Sequence, residues 1–268
     1  MKKPEQFQEC IHDFLGKFSG LAKCYDGTTQ HSYELAAVID EYSAFVTAEG
    51  NKEAWAWMAQ HPTAEFQELV ENVRQAASRC VAIMEKYRAL KLLSGQEEGA
   101  DYFKNIESCI EQEFGSFQVS ADSKVLLVGS GSYPMTPLLI AKRTGAMVVG
   151  IDIDGEAIEL GQKVVEALGS GLPIQLEQKF VEHLPVTREA THIIFSSTVS
   201  NKYELLDQLY SLTNDQVVVV MRYGDHLKSL FNYPMQEVDG RKWRLVETVL
   251  RPEHVFDIAL YKKAEVAS

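Results

Sequence analysis

The chain has no apolar run approaching the length of a membrane span, so no membrane partner is expected. Positive charge is also short: 26 Lys and Arg against 38 Asp and Glu leave a formal net charge of −12. That balance denies it the basic footprint that nucleic acid or an anionic bilayer requires, and no nucleic acid is expected. A local basic pocket for a carboxylate remains compatible with the total. Cysteine is scarce, and Cys10, Cys24, Cys80 and Cys109 form no CxxC pair. Free thiols are therefore expected rather than a disulfide framework or a structural metal. The seven histidines are scattered, no residues stand at convincing metal spacing, and His12, His61 and His254 need no role beyond packing or solvent contact. A GxSxG elbow, a Walker loop and an obvious covalent nucleophile are missing too. There is no apolar leader, because Met1-Lys2-Lys3-Pro4 runs into mixed polar sequence, and a cytoplasmic location is expected.

What is present falls into two patterns. Residues 1–120 read as a helical bundle or cap domain. Phe7, Cys10, Ile11, Phe14, Leu15 and Phe18 repeat at helical spacing, residues 33–46 form a second candidate, and Trp55-Trp57-Met58 marks a third buried segment. Pro62-Thr63-Ala64-Glu65 reads as a helix start. It leads into a long helix with Leu69, Val73, Ala76, Cys80, Met84 and Tyr87 on one face, ending near Ser94-Gly95. Residues 102–114 form another helix, stopped by Gly115.

From Lys124 short apolar runs alternate with helical segments. Strands are predicted at 125–128, 147–151, 174–176, 192–195 and 217–221, and helices at 137–144, 155–168 and 203–212. That alternation implies a mostly parallel sheet covered on both faces. Residues 243–250 and 255–261 add an antiparallel pair at its edge. Such an ending suits a class I methyltransferase-like, Rossmann-like α/β domain over residues 121–268 better than a symmetric dinucleotide fold.

The stretch 125–154 carries the chemistry. The first strand meets Gly129-Ser130-Gly131, and the second ends at Asp152-Ile153-Asp154. Glycines let the backbone approach a cofactor, and Asp152 offers a carboxylate to ribose hydroxyls. Asp154 precedes Gly155-Glu156-Ala157 and serves equally well as a helix cap. Where a third glycine would stand, the chain has Tyr133 and then Pro134. Ser196-Ser197-Thr198 supplies hydroxyls at a strand end, for a sugar, a base or a carboxylate, or simply as a polar exit. Arg222, beside Tyr223, either pairs with a substrate carboxylate or with a neighbouring acid. Asn232-Tyr233-Pro234 is a polar, aromatic loop suited to the same crevice. Glu85 lies on the long helix, displaced from its apolar face and one turn from Arg88. Desolvated at the domain junction it would be a general base, and otherwise a surface ion pair. Tyr102 has the same two readings, packing or catalysis.

With these segments in order, the chain resembles the nicotianamine synthase-like family, in its bacterial opine-metallophore branch. The residues that carry the likeness are Tyr102 to Ile106, Val128 to Thr136, Gly150 to Asp154, Ile194 to Thr198, Met221 to Asp225 and Phe231 to Pro234. The resemblance implies S-adenosylmethionine as co-substrate with no metal required, and transfer of its 3-amino-3-carboxypropyl group to the α-amine of histidine, the D isomer in the branch it looks closer to. Methylthioadenosine then leaves. It further implies Glu85 as proton acceptor, Tyr102 as an orienting or relay group, and Tyr133 and Pro134 as a hold on the methionine part. Gly129, Ser130, Gly131, Asp152, Ile153, Ser196 and Thr198 complete the cofactor set, and Arg222, Tyr223 and Tyr233 the substrate set. A racemase and an opine dehydrogenase are the implied functional partners, and a homodimer is compatible with the sequence. Leu127 replaces the acid that many methyltransferases carry before the glycine turn, which weakens the rival reading of an N-methyltransferase. The second rival is a non-catalytic nucleoside-binding protein.

Overall fold

In the computed structural model, which describes residues 4–96 and 116–265, the stripe of Phe7, Ile11, Phe14 and Phe18 forms the buried face of helix α1 (Pro4–Lys23). Helix α2 (Ser32–Thr47) turns Leu35, Ile39, Tyr42 and Phe45 toward it, with the rings of Phe14 and Tyr42 4.8 Å apart. Helix α3 (Glu49–Gln60) buries Ala54 and Met58, whereas Trp57 stands 48% exposed and stacks on His61. The expected buried Trp-Trp-Met cluster is therefore split, since residues one and two positions apart point about 100° and 200° around a helix. Helix α4 (Ala64–Leu93) starts where Thr63 accepts the Phe66 N–H at 3.1 Å. At roughly 1.5 Å per residue it is the long strut of the molecule, packed on α1 at one end and reaching the sheet's carboxyl edge at the other. The helix expected at 102–114 lies outside the described residues.

Seven strands form one sheet in the order β3-β2-β1-β4-β5-β7-β6. They are β1 (Lys124–Val128), β2 (Met147–Ile151), β3 (Ile174–Glu177), β4 (His192–Phe195), β5 (Val218–Tyr223), β6 (Trp243–Val249) and β7 (Asp257–Lys263). The first five run parallel, and β7 inserts antiparallel between β5 and β6. Helices α5 (Met135–Thr144), α6 (Gly155–Gly169), α7 (Val186–Glu189) and α8 (Lys202–Leu212) supply the crossovers. The four-residue α7 is too short to show a period in the sequence. β7 begins two residues later than expected because Val255 and Phe256 fold inward as core side chains before pairing starts.

One face of the sheet, with Leu127, Ile194 and Val220, shares a core with the aromatic residues of α1, α2 and α4. The other face, with Leu126, Ile193, Val219 and Met221, packs on Leu206 and Leu209 of α8 and on Trp243, whose indole N–H reaches the Leu206 carbonyl at 2.9 Å. The N-terminal helical region and the methyltransferase-like α/β sheet are thus the architecture read from the sequence. No helix of the described residues is long and apolar enough to cross a membrane.

Candidate active site

The carboxyl ends of β1, β2, β4 and β5 converge under α4, and the glycine turn after β1 sets their geometry. Gly129 has φ +82° and Gly131 φ +67°, a region in which a side chain is strained. A β-carbon on Gly129 would stand 3.0 Å from Ser196 Cβ, so this glycine lets the ends of β1 and β4 close on each other. A β-carbon on Gly131 would stand 1.8 Å from Glu85 Oε2. The second glycine therefore makes room for a protein carboxylate, which differs from the expectation that it serves cofactor approach alone.

Glu85 keeps partial exposure, but its carboxylate is enclosed at the turn and accepts the Ser132 N–H at 3.2 Å. The preceding amide, Gly131 N–H, donates to Asp152 Oδ2 at 3.0 Å. Two acids thus sit on consecutive amides of one turn. Burial first, and the Asp152 charge second, push the Glu85 carboxyl up to about 8, opposed by the Ser132 N–H, Arg88 and Arg222. The surface ion pair that was the ordinary reading of Glu85 is not what forms: the chain folds it inward.

Asp152 also accepts the Asp154 N–H through Oδ1 at 3.0 Å, and each oxygen retains a lone pair for a further donor. Ile153 beside it is 77% exposed, an apolar seat on an open ledge. Asp154 is a helix cap, accepting the Glu156 and Ala157 N–H groups at 3.0 and 3.4 Å. Its other oxygen pairs with Lys86 at 2.7 Å, Lys86 also meets Glu156, and the Tyr25 hydroxyl donates to Glu156 at 2.5 Å. This clamp seats α4, and Glu85 with it, on the first turn of α6.

The other wall comes from β4 and β5. Ser196 Oγ and Thr198 Oγ1 lie 3.3 Å apart, and Arg222 reaches across to donate to Thr136 Oγ1 at 2.9 Å while lying over the Phe256 ring. Tyr133 lines the crevice and carries the Arg88 guanidinium 4.3 Å from its ring centroid, with Pro134 at the start of α5. Tyr223 is not brought here. It lies in the opposite core with Met221 and Tyr261, because alternate residues of a strand point to opposite faces and Arg222 takes the crevice side. Tyr233 sits over Arg74, 5.3 Å from ring to guanidinium, and its N–H meets the Ser197 carbonyl. Tyr102 lies outside the described residues.

Lys202 is a residue that motif reading passes over. It is fully buried at the start of α8 and donates to the carbonyls of Ser197, Arg222 and Tyr233. A cation at a helix N-terminus opposes the helix dipole, and that anomaly was the available signal.

A nucleoside cofactor fits the donor side of this arrangement. The Ser130 hydroxyl is buried with no hydrogen-bond partner among the described residues, Asp152 has spare acceptor capacity, and the Ile153 ledge is open. The cavity enclosed between Glu85 and Arg222 is only about 40 Å³, so the bulk of such a ligand belongs on the ledge. A larger cavity of about 730 Å³ lies between α3 and the end of β5, but there Asp257 is already held by Lys228 and the Arg251 N–H. No group of three His, Cys, Asp or Glu suited to a metal occurs among the described residues, and Cys10, Cys24 and Cys80 form no disulfide among them.

No family model matches the chain. The L-histidine 2-aminobutanoyltransferase of Pseudomonas aeruginosa (strain PAO1) is 30% identical over 231 residues, 86% of each chain. A Yersinia pestis protein of the same description is 29% identical over 241 residues, 87% of this chain and 89% of its own. Among solved structures, MtNAS in complex with MTA and tNA superposes with a TM-score of 0.75 at 15% identity, over 96% of this chain and 98% of its own. An MtNAS variant in complex with S-adenosylmethionine gives 0.74 at 14% identity, over 94% and 98%. At that identity the structural likeness is one of fold.

Proposed function

The chain belongs to the histidine 2-aminobutanoyltransferase family, and from that premise we propose that it transfers the 3-amino-3-carboxypropyl group of S-adenosylmethionine to the α-amine of histidine. In this reaction the co-substrate supplies an activated carbon: the nitrogen–carbon bond forms as the γ-carbon–sulfur bond breaks, and methylthioadenosine leaves with the bonding pair. The sulfonium is itself the leaving group, so the chemistry calls for no metal. The chain's own task is alignment and proton removal.

The observation that carries this reading is the Glu85 carboxylate, enclosed against Gly131 at the cofactor turn and held near neutrality. Once a cationic donor beside it favours its ionised form, a carboxylate poised there takes the proton that the amine loses. Asp152 and the Ile153 ledge hold the nucleoside, Gly129, Ser130, Gly131, Tyr133 and Pro134 bound the methionine part, and Ser196 and Thr198 close it from β4. Arg222 receives a carboxylate, with Tyr233 beyond it on the same side. Tyr102 keeps the orienting role that the sequence resemblance implies.

The resemblance implies the D isomer of histidine, whereas the curated relatives are named for L-histidine. Turnover of the two enantiomers side by side assigns the handedness. The product retains a primary amine, the group an opine dehydrogenase would join to the carbonyl of an α-keto acid with a nicotinamide hydride as reductant, and a racemase would supply the D acceptor. The deciding experiment incubates protein, S-adenosylmethionine and each histidine enantiomer. Methylthioadenosine in step with acceptor consumption supports the proposal. S-adenosylhomocysteine instead establishes methyl transfer, and binding without turnover over a panel of amines leaves a nucleoside-binding protein.

A further inference from the structure

The far wall of the crevice is lined by the ends of β4 and β5, and the 231–234 loop is bonded to both from behind. The β4–β5 ladder ends at Phe195 and Met221, and beyond it the backbone bonds are Tyr233 N–H to the Ser197 carbonyl at 3.3 Å and Gly224 N–H to the Tyr233 carbonyl at 3.2 Å. At their meeting point stands the Lys202 ammonium, 2.6 Å from the Arg222 carbonyl, 3.2 Å from that of Ser197 and 3.4 Å from that of Tyr233. Its exposure is 0%, and no carboxylate is paired with it among the described salt bridges. A buried charge left so is costly unless its hydrogen bonds are complete, and here three protons meet three carbonyl oxygens.

We propose that Lys202 is a positioning residue: its ammonium pins the ends of β4 and β5 and the 231–234 loop together, and so sets the acceptor wall formed by Ser197, Arg222 and Tyr233. This rests on the proposed reaction for what the wall binds, but not for the pin itself. Three donors require the charged form, since a neutral amine has two N–H bonds. Burial pushes the lysine down to about 7, Arg74 on α4 adds to that, and Asp225 after β5 opposes it. The pin therefore loosens on the alkaline side of neutrality. The donor turn, Gly129 to Tyr133 with Asp152, makes no hydrogen bond to Lys202 among the described residues, and on the donor side only Ser196 and Thr198 adjoin a pinned carbonyl, that of Ser197.

The test is Lys202→Met, read as two constants. The expected result is a histidine KM raised by at least about ten-fold with the S-adenosylmethionine Kd within about two-fold, in protein with a wild-type circular-dichroism spectrum. An unchanged KM, or equal shifts in both constants, overturns the proposal. Hydrogen exchange on the wild-type protein reads the same pin without substitution and without turnover. After correction for intrinsic exchange, protection of the Tyr233 and Gly224 amides is expected to fall as pH is raised from about 6 to about 9. Flat protection over that range overturns the pin even where Lys202→Met does not fold. A wild-type protein that turns over no histidine removes the proposed reaction and leaves the exchange experiment to decide the pin.

Discussion

The two walls of the crevice are built on different principles. The donor wall is compact: the turn after β1 and the end of β2, residues 129–133 and 152–154, with backbone amides on the carboxylates of Asp152 and of Glu85 from α4. The acceptor wall is assembled from Ser197, Arg222 and Tyr233, on two neighbouring strand ends and a loop whose carbonyls a buried ammonium gathers. A wall made of one turn is rigid by its own dihedral angles. A wall made of three segments has no single turn to fix it, and beyond the strand ladder it is held by two backbone bonds and the Lys202 ammonium. Chemistry that tolerates little displacement at the donor carbon, yet must admit a whole amino acid opposite, suits that division.

The largest effect expected on the donor side is from Glu85→Gln. It keeps the size and the acceptor for Ser132 N–H but removes the proton sink, so transfer falls by about 10²–10⁴-fold while the protein stays folded. Methylthioadenosine release measures it, and near-wild-type turnover takes Glu85 out of the role. Gly131→Ala follows. At φ +67° the substitution costs about 1–2 kcal/mol in backbone strain, and its β-carbon also expels the Glu85 carboxylate. Thermal unfolding with and without Glu85→Ala separates the two parts. If the double variant loses as much as the sum of the singles, the steric contact is not real.

This difference between the walls also governs how much of the molecule was legible in the chain. The strands, the crossover helices and the glycine turn lie within short stretches whose period and glycines speak directly, so the class of fold and the placing of Gly129 and Asp152 at strand ends could be read. Glu85 was visible as an acid off the apolar face, but which way it pointed depended on α4 meeting the turn after β1, a contact 47 residues away in sequence. Tyr223 was misplaced because the strand runs two residues further than its apolar run shows, so that the alternation at its end fell out of view. Lys202 could not be found by motif, since its partners are carbonyl oxygens, which every residue possesses.

A smaller effect follows from pH. The native Glu85 carboxyl titrates at about 8, above its ordinary range, so between roughly pH 4.5 and 8 the folded protein holds a proton that the unfolded chain has lost. Its contribution to stability is therefore present at the acid end and declines as pH rises through that window, and Glu85→Gln flattens the decline. A cationic donor placed against Glu85 favours its ionised form, so binding releases a proton near neutrality. Calorimetry in buffers of different ionisation heat reads that proton, and donor affinity strengthens as pH approaches 8. Proton release that persists unchanged in Glu85→Gln assigns the proton to another group.

The smallest effect sharpens the donor wall itself, at the two acids only two residues apart. Asp154 caps α6 through one oxygen and meets Lys86 through the other, on a side chain 41% exposed. Asparagine caps a helix about as well as aspartate, so Asp154→Asn removes only the ion pair and costs about 1 kcal/mol or less. Its donor Kd stays within about two-fold, because neither contact faces the ledge. Asp152→Asn is the contrast. Both Asp152 oxygens accept backbone N–H groups, so an amide NH₂ in either place confronts a donor with a donor, loosening the turn at Gly131 or the start of α6. A donor Kd weakened about ten-fold in Asp152→Asn and unmoved in Asp154→Asn assigns the nucleoside to the first acid. The reverse order moves it to the second, and with it the ledge and the direction from which the transferred carbon enters.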